Sequence, residues 1–174
     1  MGASDFEVQL SRGRPYSLGE TVSVVSEVIA EPARFSEYLR LFDCAETQVI
    51  LRASNGLKRL FSHTSFDFAE HKEVVMKTLA GCPEDSARWT LMQLLKANRS
   101  TLNASEVQWS IDTAKRFIVE SEERITLIQA LDLLLKMPME DVDIKALRPR
   151  IDRLASDRRK SVANKAKLFL ATYG

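Results

Sequence analysis

Apolar residues recur every three or four positions along most of this chain, the spacing of helices that bury one stripe. Val22, Val24, Val25, Val28 and Ile29 form the first such run, which stops before Pro32. Ahead of it, Ser17-Leu18-Gly19-Glu20 has the Ser-x-x-Glu spacing of a capping box, so a helix is expected to open there. The pattern then predicts helices over 32–42 (Phe35, Leu39, Phe42) and 47–61 (Val49, Ile50, Ala53, Leu57, Leu60). Further helices are predicted over 68–79, 84–97, 103–119, 122–137, 141–155 and 158–172. Gly81-Cys82-Pro83 and Pro138 mark breaks, and Asn103-Ala104-Ser105-Glu106 reads as a cap. Pro149 is expected to kink or split its helix, because it lacks an amide donor and clashes with the preceding turn. Residues 1–16 are polar and carry Arg12, Gly13, Arg14 and Pro15; they are expected to form a flexible arm ahead of a single domain over 17–174.

The helices pair, and the second member of each pair repeats. Ala53, Thr90, Thr126 and Ala163 recur at spacings of 37, 36 and 37. Three residues further on stand Gly56, Gln93, Gln129 and Ala166, at the same spacings. In the first helices Leu79, Phe117 and Leu154 recur at 38 and 37. Small residues at a recurrent site let helices approach closely, and stacked hairpins bury apolar faces that one hairpin cannot. An antiparallel bundle is the competing explanation of such spacing.

The run from Pro32 to Leu60 has a first helix, an acidic turn and a second helix with Val-x-x-Arg-Ala and a later Leu. It resembles a HEAT-type repeat, and Ser86–Leu95 and Ser161–Leu168 are weaker copies. The resemblance covers about residues 32–172, with a period shorter than the ~40–47 usual for that class. The tetratricopeptide signature is absent. The HEAT resemblance implies an all-α fold, a right-handed α-solenoid of about four helical hairpins preceded by one N-terminal helix. It implies a non-enzymatic scaffold that binds a protein partner along its second helices, and it carries over no catalytic residue. The HEAT-like alkylpurine DNA glycosylases share that architecture, which makes nucleic-acid binding the alternative. A lyase role like that of some phycobilin-attaching HEAT proteins is a distant third.

Composition narrows the choice. A chain of 174 residues with 45% hydrophobic and 28% charged residues can bury a core, and 6 Gly with 5 Pro is too little punctuation for an all-β fold. No apolar run approaches the ~20 residues of a membrane span. The start of the chain has no secretory pattern, and Phe6 stands where a myristoylation motif takes Ser or Thr; a cytoplasmic protein is the simplest expectation. Cys44 and Cys82 occupy equivalent places in successive repeats, so they are expected to be ~8–10 Å apart and unbridged. His63 and His71 lack metal-motif spacing. No phosphate loop, Gly-x-Ser-x-Gly, His-Glu-x-x-His or Cys-x-x-Cys is present, so no catalytic group, cofactor or metal is expected. Glu120, Glu122 and Glu123, and Glu140, Asp141 and Asp143, cluster at helix starts, where they suit the helix dipole.

Charge is the one functional clue. Residues 145–167 hold Lys145, Arg148, Arg150, Arg153, Arg158, Arg159, Lys160, Lys165 and Lys167 against only Asp152 and Asp157, a surplus of seven in a chain of net charge +1. Such a stretch is a solvated terminal cap, a seat for an acidic protein, or a phosphate-binding surface. Within it, Arg158, Arg159, Lys160, Lys165 and Lys167 are the candidate contacts. A second candidate is the stripe Arg88, Met92 and Lys96, four apart on one helix face, with Arg124 equivalent to Arg88 on a later helix. Trp89 and Trp109 are expected in the core.

Overall fold

The computed structural model describes residues 4–14 and 17–173, which form ten α-helices and three short 3-10 turns with no strand among them. The all-α expectation is met. Where the pattern predicts one domain over 17–174, the chain divides into two compact units, residues 1–91 and 92–174, with the division inside the sixth helix.

The first unit contains α1 (Asp5–Ser11), α2 (Thr21–Ala30), α3 (Phe35–Leu39, between 3-10 turns Pro32–Arg34 and Arg40–Asp43), α4 (Thr47–Leu60), α5 (Phe68–Gly81) and the start of α6 (Asp85–Ala97). Two expectations fail here. Residues 5–11 are no flexible arm: Ser4 caps α1 by accepting the Glu7 amide at 3.2 Å, and Phe6 and Leu10, four apart, are fully buried. Two apolar anchors are too few to announce a helix, and α1 exists because α2 and α4 cover them. Nor is Ser17 a helix cap, since α2 starts at Thr21 and Glu20 makes no side-chain cap bond.

Ser17 instead belongs to a cage around Arg52, a guanidinium in α4 that is 1% exposed. Arg52 donates to the carbonyls of Leu10 (2.6 Å), Arg14 (2.8 Å), Ser17 (2.9 Å) and Arg12, and to Ser17 Oγ (3.2 Å). All five of its N–H groups are thereby served by the chain's own loop. Gly19, at φ +50°, sits against this guanidinium; a Cβ there would come within 2.9 Å of it, so the loop needs glycine on both conformational and steric grounds.

Gly56 serves close approach. Tyr38 donates its hydroxyl to the Ala53 carbonyl at 2.5 Å, Thr21 and Val25 of α2 close in beside it, and burial holds the phenol protonated. Between α4 and α5, Phe35, Phe61, Phe66, Phe68 and His71 form a ring cluster, with His71 stacked on Phe66 at 4.9 Å. Both cysteines are free thiols, Cys82 buried and Cys44 half-buried. Burial pushes both thiols up in pKa.

The second unit contains the end of α6, a 3-10 turn (Arg99–Thr101), α7 (Ala104–Glu120), α8 (Arg124–Leu134), α9 (Asp141–Ala155) and α10 (Lys160–Tyr173). The predicted Asn103 cap is a full capping box: Asn103 accepts the Glu106 amide at 3.0 Å, and Glu106 accepts the Asn103 amide at 2.8 Å. Glu123 caps α8 by accepting the Thr126 amide at 2.6 Å. Pro149 does not split α9, which runs unbroken through it; the proline is exposed. The main packing partners are α7 with α8, α9 with α10, α8 with α10 and α7 with α9. Within this unit α8 therefore packs on α10, and α7 touches α9 more lightly.

The first set of repeat positions is interior, with Ala53, Thr90 and Thr126 fully buried and Ala163 nearly so; in the second set Gln93 and Gln129 are only half-buried. Trp89 and Trp109 are only half-buried, which corrects their assignment to the core.

Candidate partner-binding surface

Helix α8 buries Leu127, Ala130, Leu131 and Leu134, which leaves Gln129 and Asp132 on its outer side. Two lysines reach Asp132 from other helices. Lys96, in the last turn of α6 where a cation suits the helix dipole, lies 3.3 Å from the carboxylate and 3.5 Å from Gln129 Oε1. Lys165 of α10 lies 2.5 Å from the other carboxylate oxygen. Desolvation alone would raise the Asp132 pKa, but the two ammoniums outweigh it and hold the carboxyl below its ordinary value. The side chains are 32% exposed for Lys96 and 25% for Asp132 and Lys165. Two cations on one anion leave a positive charge uncompensated within the trio, at a place water reaches.

The structure therefore joins two sequence candidates, Lys96 and Lys165, that came from separate patterns. The other members of the first stripe do not follow. Met92 is fully buried and presents no surface, so the spacing of four that placed it beside Lys96 describes the helix's inner side. Arg88 is half-buried in the first unit's part of α6. Arg124 is exposed at the first residue of α8, where the dipole disfavours a cation, so local helix energetics do not explain it.

The basic stretch splits into two sets. Arg150 donates to the carbonyls of Ile118 and Ser121, both at 3.0 Å, and meets Glu122 at 2.7 Å. Arg159 pairs with Asp157 at 2.6 Å and donates to the Glu122 carbonyl at 2.5 Å. Hydrogen bonds from Arg159 hold Asp157 far below the carboxylate range. Arg148 pairs with Asp152 at 3.1 Å. These three, with Lys165, are used within the fold. Lys145, Arg153, Arg158, Lys160 and Lys167 are exposed and make no side-chain hydrogen bond or ion pair among the described residues.

Asp132 and Gln129 were missed as site residues because a lone acid and amide on a leucine-rich helix carry no motif. A signal existed: Lys96, Asp132 and Lys165 are 36 and 33 apart, close to one period. Many side-chain bonds obey the same offset. Thr47 to Glu84, Arg99 to the Lys136 carbonyl and Arg159 to the Glu122 carbonyl each span 37 residues.

Among the described residues no group of three or more His, Cys, Asp or Glu could hold a metal ion, and no helix is long and apolar enough to cross a membrane. His63 is occupied with Ser65 through Nδ1 at 2.7 Å. Compared with known proteins, the chain matches no family model, no curated protein and no solved structure.

Proposed function

We propose that this chain is a non-enzymatic interaction module of HEAT-like stacked hairpins, whose second unit binds an acidic protein segment along the outer side of α8 and α10. The observation that carries the reading is the convergence of Lys96 and Lys165 on Asp132 at 3.3 and 2.5 Å. A carboxylate brought beside this trio meets two ammoniums already held in place, so little side-chain entropy is lost on binding. The packing of second helix on second helix and the recurrent offset near 37 residues support the stacked-hairpin part of the reading. The right-handed solenoid is part of the same proposal.

A second reading, nucleic-acid binding, has its own support in the five exposed cations Lys145, Arg153, Arg158, Lys160 and Lys167. One experiment separates the two. The intact protein is titrated with a glutamate-rich peptide and with a short DNA duplex at several salt concentrations. In the proposed function, Lys96→Glu with Lys165→Glu weakens peptide binding by about tenfold, and Arg158→Glu with Lys160→Glu weakens it less. Unchanged peptide binding in the first double variant refutes the α8–α10 assignment. DNA binding that falls steeply with salt and is lost with Arg158 and Lys160 establishes the second reading.

A further inference from the structure

The connection from α8 to α9, residues 135–140, is flanked by two clefts within the second unit. One, of about 500 Å³, is lined by Arg99, Val107, Leu135, Lys136, Met137 and Pro138. The other, of about 270 Å³, is lined by Ile144, Lys145, Arg148 and Tyr173. Each cleft contains a side chain that pins the connection. Arg99 donates to the Lys136 carbonyl, and the Tyr173 hydroxyl lies 3.3 Å from the Leu134 carbonyl and 3.5 Å from that of Met137. At the end of α8 the amides of Leu135, Lys136 and Met137 serve the carbonyls of Leu131, Leu133 and Leu134, and these two side chains add to that hold.

The two clefts share one chemistry. Each combines an apolar floor, Val107, Leu135 and Met137 in one and Ile144 with the Tyr173 ring in the other, with two cations at its edge. Lys136 and Lys145 are exposed and have no side-chain hydrogen bond or ion pair among the described residues. Arg148 shares its charge with Asp152, and Glu140 is an exposed carboxylate on the connection itself, so the cationic excess rests on Arg99, Lys136 and Lys145.

We propose that this end of the second unit is a docking site for an extended peptide that carries two apolar side chains separated and flanked by carboxylates. The apolar side chains enter the two clefts, and the carboxylates meet Lys136, Lys145 and Arg99. A duplex offers charge but no aliphatic groups to fill floors of Val, Leu, Met and Ile, so the floors select peptide over nucleic acid. This site is distinct from the Lys96–Asp132–Lys165 surface and does not depend on it.

The test uses the full chain, isotopically labelled, titrated with a blocked octapeptide of glutamates containing two leucines three residues apart. Amide shifts are expected at Val107, Lys136, Lys145 and Tyr173. Replacing both leucines by serine should weaken binding by about tenfold or more, since the apolar contact is lost. Lys136→Glu with Lys145→Glu should weaken it by a similar factor of about ten; both side chains are exposed, so the fold is left intact. Lys96→Glu with Lys165→Glu should leave the shifts at Val107, Lys136 and Lys145 unchanged, whatever it does to acidic peptide bound at α8 and α10. Equal affinity for the leucine and serine peptides, shifts confined to Gln129, Asp132 and Lys165, or full displacement of the leucine peptide by a DNA duplex would each overturn the proposal.

Discussion

The two units use the same device in opposite surroundings. In the first, a cation of α4 reaches back 35 to 42 residues to the loop after α1, and water does not reach it. In the second, Lys96, Arg159 and Lys165 reach 36, 37 and 33 residues along the chain and Arg150 reaches 28 to 32, but with their charged groups partly in water. A buried guanidinium must be fully hydrogen-bonded, because desolvating it unpaired costs several kcal/mol. It is therefore committed to the fold. An exposed pair contributes little, about 0–1 kcal/mol, and can exchange partners. Burial, more than residue type, separates the arginine committed to the fold from the lysines whose pairs lie within reach of water.

The contrast can be broken first at Arg52. Arg52→Ala strips four carbonyls and Ser17 Oγ of their donor and leaves a cavity under α1; a loss of about 3 kcal/mol is expected by urea unfolding. A loss below about 1 kcal/mol would mean that the cage forms without contributing to the fold. Gly56→Ala comes next. Its Cβ would lie 2.3 Å from Tyr38 Oη, so the Tyr38–Ala53 hydrogen bond must shift, and about 2 kcal/mol is expected to be lost in the same measurement. The smallest effect belongs to the exposed side of the comparison. Asp132→Asn should cost less than about 1 kcal/mol at neutral pH and progressively less as salt rises.

That last variant also carries a pH signature. The folded-state pKa of Asp132 is depressed below 3.8 by the two lysines. Its contribution is therefore fully present above that pH and is lost as pH falls through the lower folded value. The difference between wild type and Asp132→Asn in urea midpoint should be steady from neutral pH to about 5 and should shrink below about 4. A difference that persists unchanged at lower pH would show that the carboxylate's charge is irrelevant.

Helix content was readable because apolar periodicity and caps act locally, as at Asn103 and in the run from Val49 to Leu60. What escaped depends on groups distant in sequence. α1 is held by Phe6 and Leu10 against helices that come later, and nothing within residues 1–16 says so. Arg52 enters the sequence reading only as the Arg of Val-x-x-Arg-Ala, which says nothing of its burial; the returning loop makes it interior. Ser17 has the spacing of a cap yet bonds the guanidinium. Within the candidate surface, Lys96 and Lys165 were legible from charge, Asp132 between them was not, and Met92 was misplaced because a spacing of four fixes which residues share a face without telling which face is outward.

Pro149 leaves one further mark. With no amide to give, it removes the rung that would have closed on the carbonyl of Lys145. The part of α9 that carries Ile144, Lys145 and Arg148 is thus tied to the part that buries Ile151 and Leu154 by a ladder with a gap. Amide protons ahead of the gap should exchange with solvent sooner than those behind it. One wall of the smaller cleft stands on the half of the helix expected to open first.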